Sequence, residues 1–338
     1  MGEALFISAD DPDWGEANST YFRIHIPQKY LKLAGHTIHY RNIPAIYSEV
    51  GGKYFDVDIL DYSEDVPEVV LFERTLTTDR VEKLRLAGVK RIVATFDDHY
   101  GLMPKNASSF GYWHHHFDDF CKSLSMVDWS IVPSQRLKRD FERHCKGKIS
   151  VVKNYHDPML WNFGYHQQAE DHLLIGWGGS IQHWEGWQES GVIPALRQVL
   201  KERPDIQLAI YGQEIAELLG DIPNISFPRV LFEAWPSQVA CFDIGLAPLG
   251  GEYDKRRSNL KLIEYGLAGV PFIASGFDPY PKEDSLGGIL TSNRDWYKNL
   301  MFLIDHPDKR LELSGLGKRW AEQYTMEKHV SEYEEILW

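Results

Sequence analysis

The sequence predicts an α/β fold of two domains, each a parallel sheet built from βα units. Short apolar runs alternate with stretches of helical period along the whole chain, and stacked βα units read this way in sequence. The 338 residues exceed one typical core and suit two of about 150 residues each. One segment, Asn154 to Gln168, breaks the alternation with a proline, polar residues and no clear period, so the boundary falls there.

The first set of strands is expected at Ala4 to Ser8, Thr37 to Tyr40, Val69 to Phe72, Arg91 to Phe96, Trp129 to Pro133 and Ile149 to Asn154. Helices are expected near Thr20 to Ala34, Thr78 to Ala87, Tyr112 to Ser125 and Ser134 to Cys145. The second set has strands at Leu173 to Trp177, Gln207 to Tyr211, Ile225 to Pro228, Ile244 to Leu249 and Phe272 to Ser275. Its helices are expected near Gln188 to Glu202, Trp235 to Ala240, Asn259 to Ala268, Arg294 to Asp305 and Lys309 to Gln323. This gives domains of residues 1–155 and 156–322, with a last helical segment, 323–338, expected to pack back on the first domain through Tyr333, Ile336, Leu337 and Trp338.

Composition narrows the class. Hydrophobic residues make up 43% and charged residues 25%, with 11 Trp and 17 Tyr, which is the profile of a packed globular chain and not of a disordered one. No apolar run approaches the ~20 residues of a membrane span. The opening MGEALFISADD reads as a first strand, not a signal peptide, and the expected location is cytoplasmic. Cys121, Cys145 and Cys241 show no metal-ligand spacing and are expected as free thiols. A formal charge of −13 argues against a broad nucleic-acid footprint. His114, His115 and His116 stand in a row, and on a helix consecutive residues diverge by about 100°, so they do not chelate one ion; no metal and no resident cofactor are expected.

The densest chemistry lies from Tyr253 to Ser275. Ser258 or Asn259 is placed to cap a helix whose first N–H groups, with the helix dipole, favour an anion near Leu260. Lys255, Arg256, Arg257 and Lys261 surround that point with cations. Leu260, Ile263 and Leu267 define a buried face, and Glu264 sits beside the entrance, one turn in. Upstream, strand Leu173 to Trp177 runs into Gly178, Gly179 and Ser180, then His183, which reads either as a phosphate loop or as a tight turn that binds nothing. In the first domain Gly15, Asn18, Ser19, Thr20 and Arg23 form a corresponding loop and helix start, either a ligand contact or a plain start with a solvated arginine. Asp97, Asp98 and His99, at the end of a strand, suit proton transfer or acceptor orientation, or a cap with surface charges. Loops at strand carboxyl ends of both domains are expected to face one substrate cleft.

Taken together, these motifs resemble a GT-B glycosyltransferase and are most similar to the retaining family 4 (group 1) enzymes. The run RRSNLKLIEYGLAGVPFIAS, 256–275, is similar to that family's acidic helix followed by G-x-P-x-x-A-S. VVKNYHDPMLW, 151–161, resembles its inter-domain segment; LLIGWGGS, 173–180, the opening of its nucleotide-binding domain; IGLAPL, 244–249, the strand before the acidic motif; and LAGH, 33–36, the end of its first helix. The matches run through nearly the whole chain in the family's order.

The resemblance implies two Rossmann-like domains, an acceptor-side N-terminal one and a nucleotide-sugar-binding C-terminal one. It implies transfer of a sugar from a UDP- or GDP-linked donor to a hydroxyl acceptor with retention. Glu264 would hold the ribose hydroxyls, amides near Ser258, Asn259 and Leu260 the pyrophosphate, and Val230, with Pro228, the base. His99, Asp98 or Asp97 would stand near the transferred sugar. Two departures are visible. The family's earlier glutamate, eight positions before Glu264, is Arg256 here, with Glu252 the nearby substitute, and the basic pair after the glycine loop is replaced by Gln182 to Gly186, leaving Arg256, Arg257 or Lys261 to supply the charge. Alternatives are an epimerase of the same fold or a non-catalytic sugar-nucleotide or glycan binding module. The acceptor class stays open among glycan, lipid, protein, small molecule and a hydroxymethylated viral DNA base, and a basic strip at Lys105, Lys122, Arg136, Lys138, Arg139 and Arg143 suits an anionic acceptor, a membrane surface or a solvated face.

Overall fold

The computed structural model describes residues 1–8, 19–42, 67–161, 172–228 and 230–338. The chain divides into two compact units. The first comprises Met1–Asp97, His115–His156 and Met326–Trp338, the second Asp98–His114 and Asp157–Thr325. The sequence reading kept residues 98–114 with the first domain. They belong with the second because Asp98 lies 3.8 Å from Arg257 and the Met103 sulfur is 3.9 Å from the Gln182 amide nitrogen.

In the first unit six strands, β1 (Glu3–Ser8), β2 (Thr37–Asn42), β3 (Val69–Glu73), β4 (Arg91–Thr95), β5 (Trp129–Val132) and β6 (Lys148–Val151), form one sheet in the order β2-β1-β3-β4-β5-β6. All pairs are parallel. Parallel strands are covered on both faces, so the central ones carry near-continuous apolar runs, and every residue of β3 is buried. The C-terminal residues belong to this unit. Tyr333, Ile336 and Leu337 are buried, the Tyr155 hydroxyl donates to Glu332 at 2.9 Å, and the Arg91 guanidinium donates to the Ile336 carbonyl at 3.0 Å.

The second unit carries β7 (Leu173–Gly178), β8 (Ile206–Tyr211), β9 (Ile225–Phe227), β10 (Ile244–Ala247), β11 (Phe272–Ser275) and β12 (Gly288–Thr291), all parallel, in the order β12-β11-β10-β7-β8-β9. Successive side chains of a strand point to opposite faces. Leu208 and Ile210 accordingly join a core with Trp177, Leu196 and Trp296, while Ala209 and Tyr211 join one with Trp235, Leu262 and Tyr265. The helices Val192–Glu202 and Trp296–Asp305 cover the first face; Leu260–Ala268 and Pro307–Ala321 cover the second.

Three local outcomes differ from expectation. The helix expected from Gln188 is broken into Trp184–Glu189 and Val192–Glu202 because Gly191 takes φ +84°, which side-chain-bearing residues avoid. The helix Gln213–Leu219 and the strand β12 were not anticipated. β12 is four residues long, begins with glycine and pairs with β11 alone, so its apolar run is too short to stand out.

Candidate functional site

The strand order of the second unit reverses between β7 and β10: from β7 the chain builds outward through β8 and β9, then crosses back to β10 and continues through β11 and β12. Ligands of open α/β sheets sit beyond the strand carboxyl ends at such a reversal. Gly178, Gly179 and Ser180 follow from β7, and Pro248, Leu249 and Gly250 follow β10. The Leu249 N–H donates to the Ser275 hydroxyl at 2.9 Å, so the serine ending β11 fixes the loop after β10.

The helix Leu260–Ala268 starts at this edge. Asn259 is its cap residue, yet its side chain accepts no capping bond from the helix. The first intrahelical bonds run from Leu262 and Ile263 N–H to the Asn259 carbonyl, leaving the Leu260 and Lys261 amides ahead of the ladder, where an anion is favoured. Asn259 is 3% exposed and its side-chain nitrogen has no hydrogen-bond partner among the described residues. A buried donor without a partner is costly, and a ligand oxygen would satisfy it. The helix is buried from Leu262 through Ala268, a wider apolar contact than the Leu260, Ile263 and Leu267 stripe anticipated, with Leu260 itself half-buried.

Lys261 turns from this helix to the glycine loop. Its Nζ lies 2.5 Å from the Gly178 carbonyl oxygen and 5.2 Å from the Trp177 ring centre. Desolvation pushes its pKa down to about 8; Glu264 counters this and Arg257 adds to it. Glu264 is buried, and burial raises its pKa against the pull of Lys261 and a hydrogen bond from the Trp235 indole. A cation and an acid one turn apart, both short of water, are thus held at the same edge. His183 is buried with its ring 5.5 Å from that of Trp177. Desolvation, then the charges of Arg257 and Lys261, hold it well below its ordinary pKa, so the imidazole is neutral.

The glycines serve packing as well as access. A Cβ on Gly178 would stand 2.2 Å from the Trp235 ring, and one on Gly179 2.7 Å from Trp177. Trp235, absent from the sequence-based site, therefore links the glycine loop to Glu264.

Arg257 sits over the Tyr253 ring at 5.5 Å, with Asp254 at 3.7 Å and Asp98 at 3.8 Å. Asp254 is also missing from the sequence reading. Its carboxylate accepts from the Gly250 N–H at 2.9 Å, and burial pushes its pKa up to about 6 although Arg257 lowers it. Arg256 pairs with Glu252, Nη1 to Oε2 at 2.8 Å, and Lys255 lies 2.5 Å from the other Glu252 oxygen, so the two residues named at the departure from the family pattern contact each other. Val230 is half-buried against the Trp235 core.

In the first unit, Gly15 and Asn18 lie outside the described residues. Ser19 and Thr20 bond to Glu73, at 2.9 and 3.3 Å. Arg23 departs from both earlier readings. It is completely buried in a π-helical turn, Tyr21–His25, and donates to the Val152 carbonyl at 2.8 Å, which makes it an internal tie between the start and end of the sheet. Asp97, Asp98 and His99 follow β4, and Asp98 lies 3.8 Å from Arg257. Among the described residues no three His, Cys, Asp or Glu side chains are grouped to hold a metal ion, and no helix is long and apolar enough to cross a membrane.

The sequence matches no family model and no curated protein. Solved structures do match. Sucrose-phosphate synthase from Thermosynechococcus elongatus aligns with 99% of this chain and 98% of its own at TM-score 0.73 and 14% identity. HepE from Anabaena, solved with UDP and glucose, aligns with 99% of this chain and 100% of its own at TM-score 0.65 and 14% identity. TarM from S. aureus, solved with UDP, alpha-GlcNAc-glycerol and Fondaparinux, matches 79% of this chain at TM-score 0.55 and 13% identity, and this chain spans 55% of TarM. The chain therefore has the GT-B fold, the two-sheet α/β architecture of these glycosyltransferases.

Proposed function

We infer that the protein is a glycosyltransferase that moves a sugar from a nucleoside diphosphate, UDP or GDP, to a hydroxyl acceptor with retention of configuration. The observation that carries this reading is the cluster at the β7/β10 reversal: unladdered amides at Leu260 and Lys261, the cations of Lys261 and Arg257, an unpartnered Asn259 amide, and the buried Glu264 behind them. Diphosphate oxygens suit the amides and cations, and ribose hydroxyls suit the carboxylate. The UDP present in the HepE and TarM structures supports a uridine nucleotide as the first donor to try.

In this scheme the bond from the anomeric carbon to the diphosphate oxygen breaks, and its electron pair stays on the diphosphate. The acceptor hydroxyl forms the new bond on the same face and gives its proton to the departing phosphate oxygen. The leaving group gains negative charge, and Arg257, Lys261 and the helix amides are fixed where that charge grows, so they stabilise the transition state more than the ground state. The chain's own cations carry that work without a metal. Asp98, beside Arg257, and His99 and Asp97 next to it in sequence are assigned to the sugar and acceptor hydroxyl.

The test is release of free nucleotide from a panel of UDP- and GDP-sugars, with and without hydroxyl acceptors. Turnover that depends on acceptor and falls at least tenfold in Arg257→Gln supports transfer. An altered sugar nucleotide formed without any acceptor would replace this reading with an epimerase.

A further inference from the structure

Asp254 ends the short helix Gly251–Asp254 and is 1% exposed, yet its carboxylate is only partly satisfied. Its Oδ2 accepts from the Gly250 N–H at 2.9 Å. Its Oδ1 has no hydrogen bond among the described residues, and Arg257 Nη1, at 3.7 Å, stands outside hydrogen-bond reach of it. A carboxylate has about four lone-pair positions to fill, and an enclosed acceptor left without a donor is costly. Burial, and after it the charges of Glu185 and Asp98, disfavour the ionised form, so the fold by itself favours a neutral side chain at this position.

The acid stands at the β7/β10 reversal. A Cβ on Gly186, in the helix Trp184–Glu189 that follows the glycine loop, would lie 2.9 Å from Asp254 Oδ2 and 2.8 Å from the Pro248 carbonyl oxygen, so the glycine lets this helix close on the acid and on the loop after β10. The Arg257 N–H donates to the Asp254 carbonyl at 3.1 Å, which ties the arginine to the same turn. Asp98 lies 3.8 Å from Arg257 on its own account, so one cation stands between two acids. From Glu264, through the Leu260 and Lys261 amides, to Arg257 and then Asp254, the groups follow the order of a sugar nucleotide: ribose, diphosphate, sugar.

We propose that Asp254 recognises a hydroxyl of the transferred sugar and sets the donor class, an uncharged sugar in preference to a carboxylated one. This rests on the glycosyltransferase reading. Diphosphate oxygens draw Arg257 toward them, and a sugar O–H then donates to the Oδ1 that the protein leaves without a donor. A sugar carboxylate would instead meet Asp254 and Asp98 together where little water screens them, with the neighbouring arginine already facing phosphate, so repulsion selects against it.

The experiment is calorimetric titration into the whole protein and into Asp254→Asn, at about pH 7.5, above the pKa of about 6 at which Asp254 ionises. The probes are UDP, UDP-glucose, UDP-galactose, UDP-N-acetylglucosamine and UDP-glucuronate, and GDP, GDP-mannose and GDP-mannuronate. Each sugar nucleotide is read as the ratio of its affinity to that of its parent diphosphate. That ratio cancels changes at the phosphates, and binding of the diphosphate shows that the variant is folded. An uncharged sugar nucleotide should bind the wild type, with its ratio falling about tenfold or more in Asp254→Asn, while the carboxylated sugar of the same nucleotide binds the wild type more weakly and recovers relative to the uncharged one in the variant. Equal ratios in the two proteins, as a purely structural acid would give, overturn the proposal. So does a wild type that binds a carboxylated sugar as tightly as the uncharged ones, or that binds UDP or GDP and none of the uncharged sugar nucleotides. A wild type that binds neither UDP nor GDP overturns the donor reading itself, so the two failures are told apart.

Discussion

Lys261 Nζ lies 2.5 Å from the carbonyl oxygen of Gly178, a residue 83 positions earlier in the chain. One contact thus joins the two sequence features that first suggested an anion site. It also supplies a cation to a glycine loop that carries none, since Gln182 to Gly186 follow where a basic pair was expected.

Lys261 makes nucleotide binding pH-dependent. Its pKa in the free protein is pushed down to about 8 by desolvation, so it is charged below that pH and neutral above it. A bound diphosphate favours the charged form, so UDP affinity is expected to fall by up to about tenfold per pH unit above 8. Titrations at pH 7 to 10 on wild type and Lys261→Gln check this: the variant binds more weakly at pH 7 and loses the slope.

Asp254 affects stability with the opposite acid-base logic. Its pKa rises from 3.8 to about 6 in the folded protein, so the fold prefers the protonated acid. Ionisation above pH 6 costs about 3 kcal/mol, and the cost disappears as pH falls below 4. Asp254→Asn is therefore expected to be more stable than wild type at pH 7, by about 1–3 kcal/mol, with the two converging near pH 4. Urea unfolding across that range measures it.

Gly178 tests the packing behind the loop. In Gly178→Ala the new methyl carbon meets Trp235 at 2.2 Å, so the indole must shift and its bond to Glu264 goes with it. Stability should fall by about 1–3 kcal/mol and UDP affinity should fall too. Adding Trp235→Phe makes room for the methyl. The double variant should regain stability without regaining affinity, because phenylalanine has no N–H for Glu264. Recovery of both would show that the indole N–H is not needed.

Much of this was legible in the sequence, for identifiable reasons. The strands of both sheets stand out because parallel strands buried on two faces are continuous apolar runs, as in VVLFE of β3. The Gly178 loop and the Glu264 helix were legible because both combine a stop signal with polar residues at the end of such a run. Burial of single polar groups was not legible. Arg23, Glu73 and Asp254 look like surface charges in a string of letters, and only the fold shows that each is enclosed, by Val152, by Ser8 with Thr20, and by Gly250 with Arg257. The split at 98–114 was hidden because a chain crossing between units in mid-segment leaves no change of composition.

Arg23, reassigned from ligand contact to internal tie, gives a negative control. Arg23→Met strands the buried Val152 carbonyl and should cost about 1–3 kcal/mol of stability. UDP affinity, measured below the lowered melting point, should stay within about twofold. A large loss of affinity in a still-folded Arg23→Met protein would return Arg23 to the ligand.

A nucleoside diphosphate site closed by Glu264 is checked by titration calorimetry of UDP and GDP against wild type and Glu264→Gln. The substitution keeps the side-chain volume and removes the charge that strengthens hydrogen bonds to ribose hydroxyls. One of the two nucleotides should bind the wild type and bind Glu264→Gln about tenfold or more weakly. Failure of both to bind the wild type, or equal binding to the two proteins, would rule out Glu264 as the ribose-binding residue of a nucleoside diphosphate site.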